Sequence, residues 1–130
     1  MYITIDTSAI IAVVGNEKAK SQIIEVTKGA SLYAPMSVHW EIGNAFSAMF
    51  KRHKTSIEQA KVALSIYRQI PIKFIDVPLE QSLEISHSLN IYSYDAYLIQ
   101  CAQQTSTSLL TLDRGLKSVA EKIGLHVIEV

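Results

Sequence analysis

The sequence predicts an α/β protein, a three-layer α/β/α sandwich with helices on both faces of a central, mainly parallel sheet of about five strands. Three observations carry that expectation. Short β-rich runs alternate with longer runs of helical spacing from one end of the 130 residues to the other. Three prolines and five glycines punctuate these runs singly, with no linker, internal repeat or low-complexity tract between them. Alternation of strand, helix and strand implies right-handed crossovers, which lay helices over both faces of a parallel sheet.

The β-rich runs are Tyr2 to Ile5, Ser31 to Ala34, Ile72 to Ile75, Ser108 to Leu112 and His126 to Glu129. Each is too short for a helix and is bounded by Gly, Pro, Asp or Asn. After the first of them, Ile10 to Thr27 has helical character broken near Gly15. After the second, Val38, Ile42, Ala45, Phe46, Met49 and Phe50 fall on one side of a helix whose basic end, Lys51-Arg52-His53-Lys54, suits a C-terminus. A further amphipathic segment starts at Ser56 with Glu58 as a start signal, carries Ile57, Ala60, Leu64 and Tyr67 on one stripe, and is stopped by Pro71. Helices over Leu79 to Leu89, Tyr94 to Gln104 and Arg114 to Ile123 complete the pattern.

With 48% hydrophobic residues, a chain of this length buries roughly two thirds of its unfolded surface. One domain over residues 1–130 is therefore expected, with no need of disulfides or a structural metal. The one cysteine, Cys101, sits in the apolar run Tyr97-Leu98-Ile99-Gln100-Cys101-Ala102 and is expected to be a core thiol in a reducing cytoplasm. No apolar run approaches the ~20 residues that span a bilayer, and Met1 to Asp6 lacks the basic start of a signal peptide, so no membrane association is expected. Twelve Lys plus Arg balance twelve Asp plus Glu, which argues against broad electrostatic capture of nucleic acid but leaves room for a local basic patch.

Most of the acids, Glu17, Glu25, Glu58, Glu80, Glu84 and Glu121 among them, stand with Lys, Gln, Ser or Asn and suit solvated helix faces. Four stand in apolar company. Asp6 ends the first β-rich run as Ile5-Asp6-Thr7-Ser8, and Asp113 ends the fourth as Thr111-Leu112-Asp113-Arg114. In a doubly covered parallel sheet, ligands bind beyond the carboxyl ends of the strands, so both acids can face the same rim. Glu41 lies in Val38-His39-Trp40-Glu41-Ile42-Gly43-Asn44, one step from the apolar stripe, and Asp95 opens a nearly all-apolar helix. Buried alone, each would cost several kcal/mol. Asp6, Asp95 and Asp113 also suit helix starts as caps or dipole partners, a role that needs no catalysis. Asp76 ends a β-rich run as well, but Pro78 and the following helix explain it as a turn or cap.

Were several of these carboxylates to converge, their repulsion would raise their proton affinity unless a divalent cation lay among them. All-oxygen ligands suit Mg²⁺ or Mn²⁺ rather than zinc. Such a centre serves phosphodiester hydrolysis by offsetting transition-state charge and acidifying a bound water. Other chemistries lack their residues: His39-Trp40-Glu41 has no cysteine pair for a zinc deaminase, and neither a phosphate-binding loop nor a dinucleotide fingerprint occurs. Ser8 reads as a helix-start hydroxyl able to touch a ligand.

The chain resembles the PIN domain family, most closely the short VapC-type toxins of bacterial toxin/antitoxin pairs. The likeness rests on Ile5-Asp6-Thr7-Ser8, Glu41-Ile42-Gly43-Asn44-Ala45, Tyr94-Asp95-Ala96-Tyr97 and Thr111-Leu112-Asp113-Arg114-Gly115-Leu116. Their acids follow one another at intervals of 35, 54 and 18 residues, and the likeness spans essentially the whole length. The resemblance implies a PIN-like parallel sheet with an acidic pocket at its carboxyl rim and Mg²⁺- or Mn²⁺-dependent cleavage of single-stranded RNA. Carried over residue by residue, it makes Asp6, Glu41, Asp95 and Asp113 catalytic metal ligands, direct or through water, Ser8 a secondary polar contact and Asn44 an orienting partner of Glu41. It also implies a cognate antitoxin protein and a homodimer. The balanced charge departs from an RNA-binding surface; Lys51, Arg52, Lys54, Arg114 and Lys117 are the local candidates for phosphate contacts.

The function expected is thus a cytoplasmic metal-dependent endoribonuclease, the toxin of an antitoxin-controlled pair. Two alternatives stay open at this point: a housekeeping nuclease of RNA maturation or DNA repair, and a non-catalytic binding module whose acids are caps or ion-pair partners.

Overall fold

The computed structural model describes residues 1–130. In chain order its elements are β1 (Tyr2–Ile5), α1 (Thr7–Val14), α2 (Lys20–Thr27), β2 (Ser31–Pro35), α3 (Ser37–Lys51), α4 (Ile57–Tyr67), β3 (Ile72–Ile75), α5 (Leu79–Leu89), α6 (Ser93–Thr105), β4 (Ser108–Leu110) and α7 (Arg114–Lys122). The four strands form one parallel sheet in the order β3-β2-β1-β4. The α/β class and the parallel sheet are as the sequence predicts.

The strand count differs. His126 to Glu129 makes only a single bridge, Leu109 with Val127, held by Leu109 N–H on the His126 carbonyl and Ile128 N–H on the Leu109 carbonyl, both at 2.9 Å. Val127 and Ile128 are buried against the core, so the segment's β-like composition serves packing while its ladder stops after one residue. The first helix also differs: it starts at Thr7 rather than Ile10, because Asp6 caps it.

Local signals explain several boundaries. Ser56 and Gln59 form a reciprocal capping box at the start of α4, satisfying two backbone donors that a helix start leaves free. Asn90 and Ser106 close α5 and α6 in the left-handed region. The core contains Ile3, Ile5, Ile10, Val38, Ile42, Ile99, Leu109 and Leu110, with Cys101 also fully buried. Helix α6 packs on β1, β2 and β4, and α1 packs on α2, α3 and α4. Thr4 of β1 points toward α6, where its hydroxyl meets the Thr107 hydroxyl at 2.6 Å and the Cys101 thiol at 3.7 Å. Alternation along the strand sends Ile3 and Ile5 to the opposite face. No helix is long and apolar enough to cross a membrane.

The order β3-β2-β1-β4 places β2 and β3 on one side of β1 and β4 on the other. The carboxyl ends of β1 and β4 therefore flank the point where the winding reverses, the position at which open α/β sheets leave a crevice. Asp6 N–H extends the β1–β4 ladder by one bond to the Leu110 carbonyl at 3.1 Å, which pins the first acid at that edge.

Candidate active site

Asp6 directly follows β1 and has extended backbone angles, φ −96° and ψ 173°. Its Oδ1 accepts from the Ala9 N–H at 3.0 Å and from the Ser8 hydroxyl at 2.7 Å, and its Oδ2 accepts from the Thr111 hydroxyl. Only 4% of the residue is exposed. Burial pushes its pKa up; the bonds from Thr111, Ser8 and the Ala9 N–H pull the other way, and the Asp113 charge adds to the rise. A carboxylate offers about four lone-pair sites. Three are taken here, so one direction remains on Oδ2.

Two hydroxyls tie this acid to the end of β4. Thr111 donates to Asp6 and accepts from the Asp113 N–H at 2.9 Å. Ser8 donates to Asp6 and accepts from the Leu112 N–H at 2.9 Å. Asp113 caps α7 with Oδ1, which accepts from the Gly115 and Leu116 N–H groups at 2.8 and 3.1 Å. The cap role expected for Asp6 and Asp113 is therefore real, and it orients both carboxylates.

Glu41 lies on the second turn of α3, half-buried. Burial pushes its pKa to about 7; the Ser37 and Thr7 hydroxyls beside it pull down, and the charges of Asp6 and Asp95 push further up. Neither hydroxyl completes a hydrogen bond of good geometry: Glu41 Oε2, Ser37 Oγ and Thr7 Oγ1 are all buried without a partner. Asp95 occupies the first turn of α6. Its pKa is raised by burial and then by the Asp113 charge.

These four acids line one cavity of about 440 Å³, together with Thr7, Ser8 and Glu17. Glu17, which the sequence assigns to a solvated helix face, is exposed in the turn after α1, where its N–H bonds the Ala12 carbonyl. Thr111 stands in the sequence motif before Asp113 but carries no role there; a threonine in the apolar run Leu109-Leu110-Thr111-Leu112, just past a strand end, was the available signal. Asn44 is exposed, is not among the residues lining the cavity, and makes no hydrogen bond with Glu41.

The basic candidates divide. Arg114 and Lys117 line an adjoining cavity of about 250 Å³ that shares Asp113 with the acid cavity, and Lys117 Nζ is paired with both Glu129 oxygens at 3.1 and 3.2 Å. Lys51 lies ten residues beyond Glu41, about 15 Å along the helix axis. Lys54 lines a neighbouring cavity of about 290 Å³, with Asn16 and Gln59, that shares Ile11 and Glu17 with the acid cavity.

As arranged, no three Asp, Glu, His or Cys side chains are close enough to hold one metal ion. The donor chemistry nevertheless fits a hard divalent cation: oxygen ligands only, a buried Glu41 oxygen without a partner, and like charges whose repulsion a cation relieves. The four acids thus share one crevice at the carboxyl edge of the β3-β2-β1-β4 sheet, a donor set of the kind that metal-assisted hydrolysis uses.

The family follows from comparison with known proteins. The model of the PIN domain family matches residues 3–122, and this chain belongs to that family, whose members are nucleases that generally use divalent metal ions. Among curated proteins, none matches the sequence. Solved structures share the fold. PAE2754 of Pyrobaculum aerophilum is 18% identical, with a TM-score of 0.67 over 92% of this chain and 87% of that one. VapBC2 of Rickettsia felis, solved bound to a DNA fragment from its promoter, is 16% identical, with a TM-score of 0.68 over 98% of each chain. VapC20 of Mycobacterium tuberculosis, a toxin that cleaves the sarcin-ricin loop, is 14% identical, with a TM-score of 0.66 over 98% of each chain.

Proposed function

We propose that this chain, acting as one domain over residues 1–130, is a Mg²⁺- or Mn²⁺-dependent endoribonuclease and the toxin of an antitoxin-controlled pair. The observation that carries the reading is the convergence of Asp6, Glu41, Asp95 and Asp113 on one cavity, with a buried Glu41 oxygen left unpartnered. Those four residues would hold the cation. When bound, it offsets charge on the phosphoryl oxygens and acidifies a water.

The chain's own groups do the positioning. Ser8, Thr111 and the Ala9 N–H hold Asp6 so that its remaining lone pair faces the cavity. Burial and the neighbouring carboxylates raise the proton affinity of Glu41, and a cation held by these acids would favour its carboxylate form. Arg114, free of an acidic partner, contacts a substrate phosphate at the cavity edge, and Lys117 joins it on leaving Glu129; Lys51, Arg52 and Lys54 bind more distant phosphates. The partner is a cognate antitoxin, a reading supported by the toxin complex from Rickettsia felis that shares the fold. The working form is a cytoplasmic homodimer.

The test is cleavage of single-stranded RNA by the purified protein with and without Mn²⁺. Asp6→Asn and Asp95→Asn should each lower the rate at least about a hundredfold, the scale lost when a charge-stabilising group is removed, with unchanged circular dichroism. Full activity in either variant refutes the assignment.

A further inference from the structure

The first turns of α3 carry a second, aromatic feature that the acid cavity does not use. His39 Nδ1 and the Tyr67 hydroxyl share a hydrogen bond of 2.9 Å. The His39 ring meets Phe74 edge-on at 5.9 Å, lies tilted against Tyr67 at 5.8 Å, and meets Trp40 edge-on at 4.9 Å between centroids. Packing does not close this cluster. His39, Tyr67 and Phe74, with Ile70, Ile72 and Arg68, wall an open cavity of about 290 Å³, at the lower limit of the ~300–1,000 Å³ typical of ligand sites. Trp40, the only tryptophan, leaves 70% of its surface in water.

We infer that this slot binds a nucleobase of single-stranded RNA, with Trp40 as the stacking platform at its edge and Arg68 as the phosphate contact. This rests on the ribonuclease reading above and adds to it the residues that position the strand. The slot offers what a planar heterocycle needs: aromatic and isoleucine walls, a His–Tyr polar pair, and one exposed guanidinium. Aromatic faces joined to cations are how proteins hold unstacked bases. An oily peptide side chain would gain nothing from the guanidinium or the polar pair.

Geometry joins the slot to the acids. His39, Trp40 and Glu41 are consecutive, and at 3.6 residues per turn each is rotated about 100° from the last. Trp40 thus lies between the face that carries His39 and the face that carries Glu41. A strand passing around the start of α3 goes from slot to indole to acid cavity over about half the circumference of one helix, roughly 16–19 Å for a diameter of about 10–12 Å.

Because Trp40 is the only tryptophan, its fluorescence reads the contact directly. The metal-free protein, in chelator, is titrated with a short single-stranded oligoribonucleotide and with a strand of equal length that lacks bases. Quenching by the first and not by the second is expected. In parallel, Trp40→Ala and Arg68→Ala, both at exposed positions, are assayed with end-labelled RNA by anisotropy; Trp40→Ala should weaken binding between about fivefold and a hundredfold, the range set by loss of a stacked base, and Arg68→Ala should weaken it by more than about twofold with a shallower salt dependence, as loss of a phosphate contact does. Equal quenching by both strands, or variants that bind within twofold of the parent, overturns the inference. Mn²⁺-dependent cleavage without base-dependent quenching sinks the slot and spares the ribonuclease reading. Base-dependent quenching without cleavage supports the slot and sinks that reading.

Discussion

Replacing Glu41 with Gln should remove a pH-dependent weakness from the metal-free protein. In the folded state the Glu41 carboxyl is pushed from 4.5 to about 7, so the native form binds its proton more tightly than the unfolded chain does. The sign follows from linkage: the contribution is fully present below pH 4.5 and is lost as pH rises toward 7, where the unfolded state can ionise and the folded state resists. A gap of 2.5 units is worth about 3.4 kcal/mol at 1.36 kcal/mol per unit. The carboxyl is only half-buried, and solvent screening reduces that to about 1–2 kcal/mol. Glu41→Gln should therefore match the parent at pH 4 and exceed it by about 1–2 kcal/mol at pH 8, part of the gain being relief of Asp6 and Asp95. Urea denaturation in chelator at half-unit steps of pH measures the difference. Parallel profiles for the two proteins, or a Glu41 carboxyl that titrates near 4.5 by carbon NMR, refute the reasoning.

Other consequences are directly measurable. Thr111→Val removes the buried donor to Asp6 and the acceptor of the Asp113 N–H; a loss of about 1–3 kcal/mol in urea is expected, with the Asp6 carboxyl rising further. Mn²⁺ at a hundred times its dissociation constant should stabilise the protein by about 2.7 kcal/mol, seen as a rise in Tm that disappears in Asp95→Asn. Ser56→Ala should cost about 1 kcal/mol through loss of the α4 capping box, with Mn²⁺ binding by calorimetry unchanged.

The sequence showed the acids because of their neighbours. Asp6, Glu41, Asp95 and Asp113 each interrupt apolar pattern, where a charge needs a reason, and all four line one cavity. Glu17 carried no such mark. It sits among lysine and asparagine and reaches the cavity only because the chain turns at Gly15 and Asn16, a tertiary effect that no local pattern encodes. Thr111 was hidden for the opposite reason, since threonine is at home in strands and its hydroxyl gains meaning only from Asp6, 105 residues away. The fifth expected strand had the right composition but only one bridging residue. Burial of Val127 and Ile128 demands the same residue types as a ladder does. The aromatic slot was equally invisible, because Tyr67 reads as an ordinary stripe residue of α4 until His39 meets it across 28 positions.

The polar stitch of Thr4, Thr107 and Cys101 lies beneath the crevice, two residues below Asp6 on its strand and six beyond Asp95 on its helix. It ties α6 and the turn that follows it to β1, the two elements that carry those acids. The aperture at the rim is gauged from the floor: a larger or smaller side chain in place of Cys101 would retune it while leaving every carboxylate in its place in the chain.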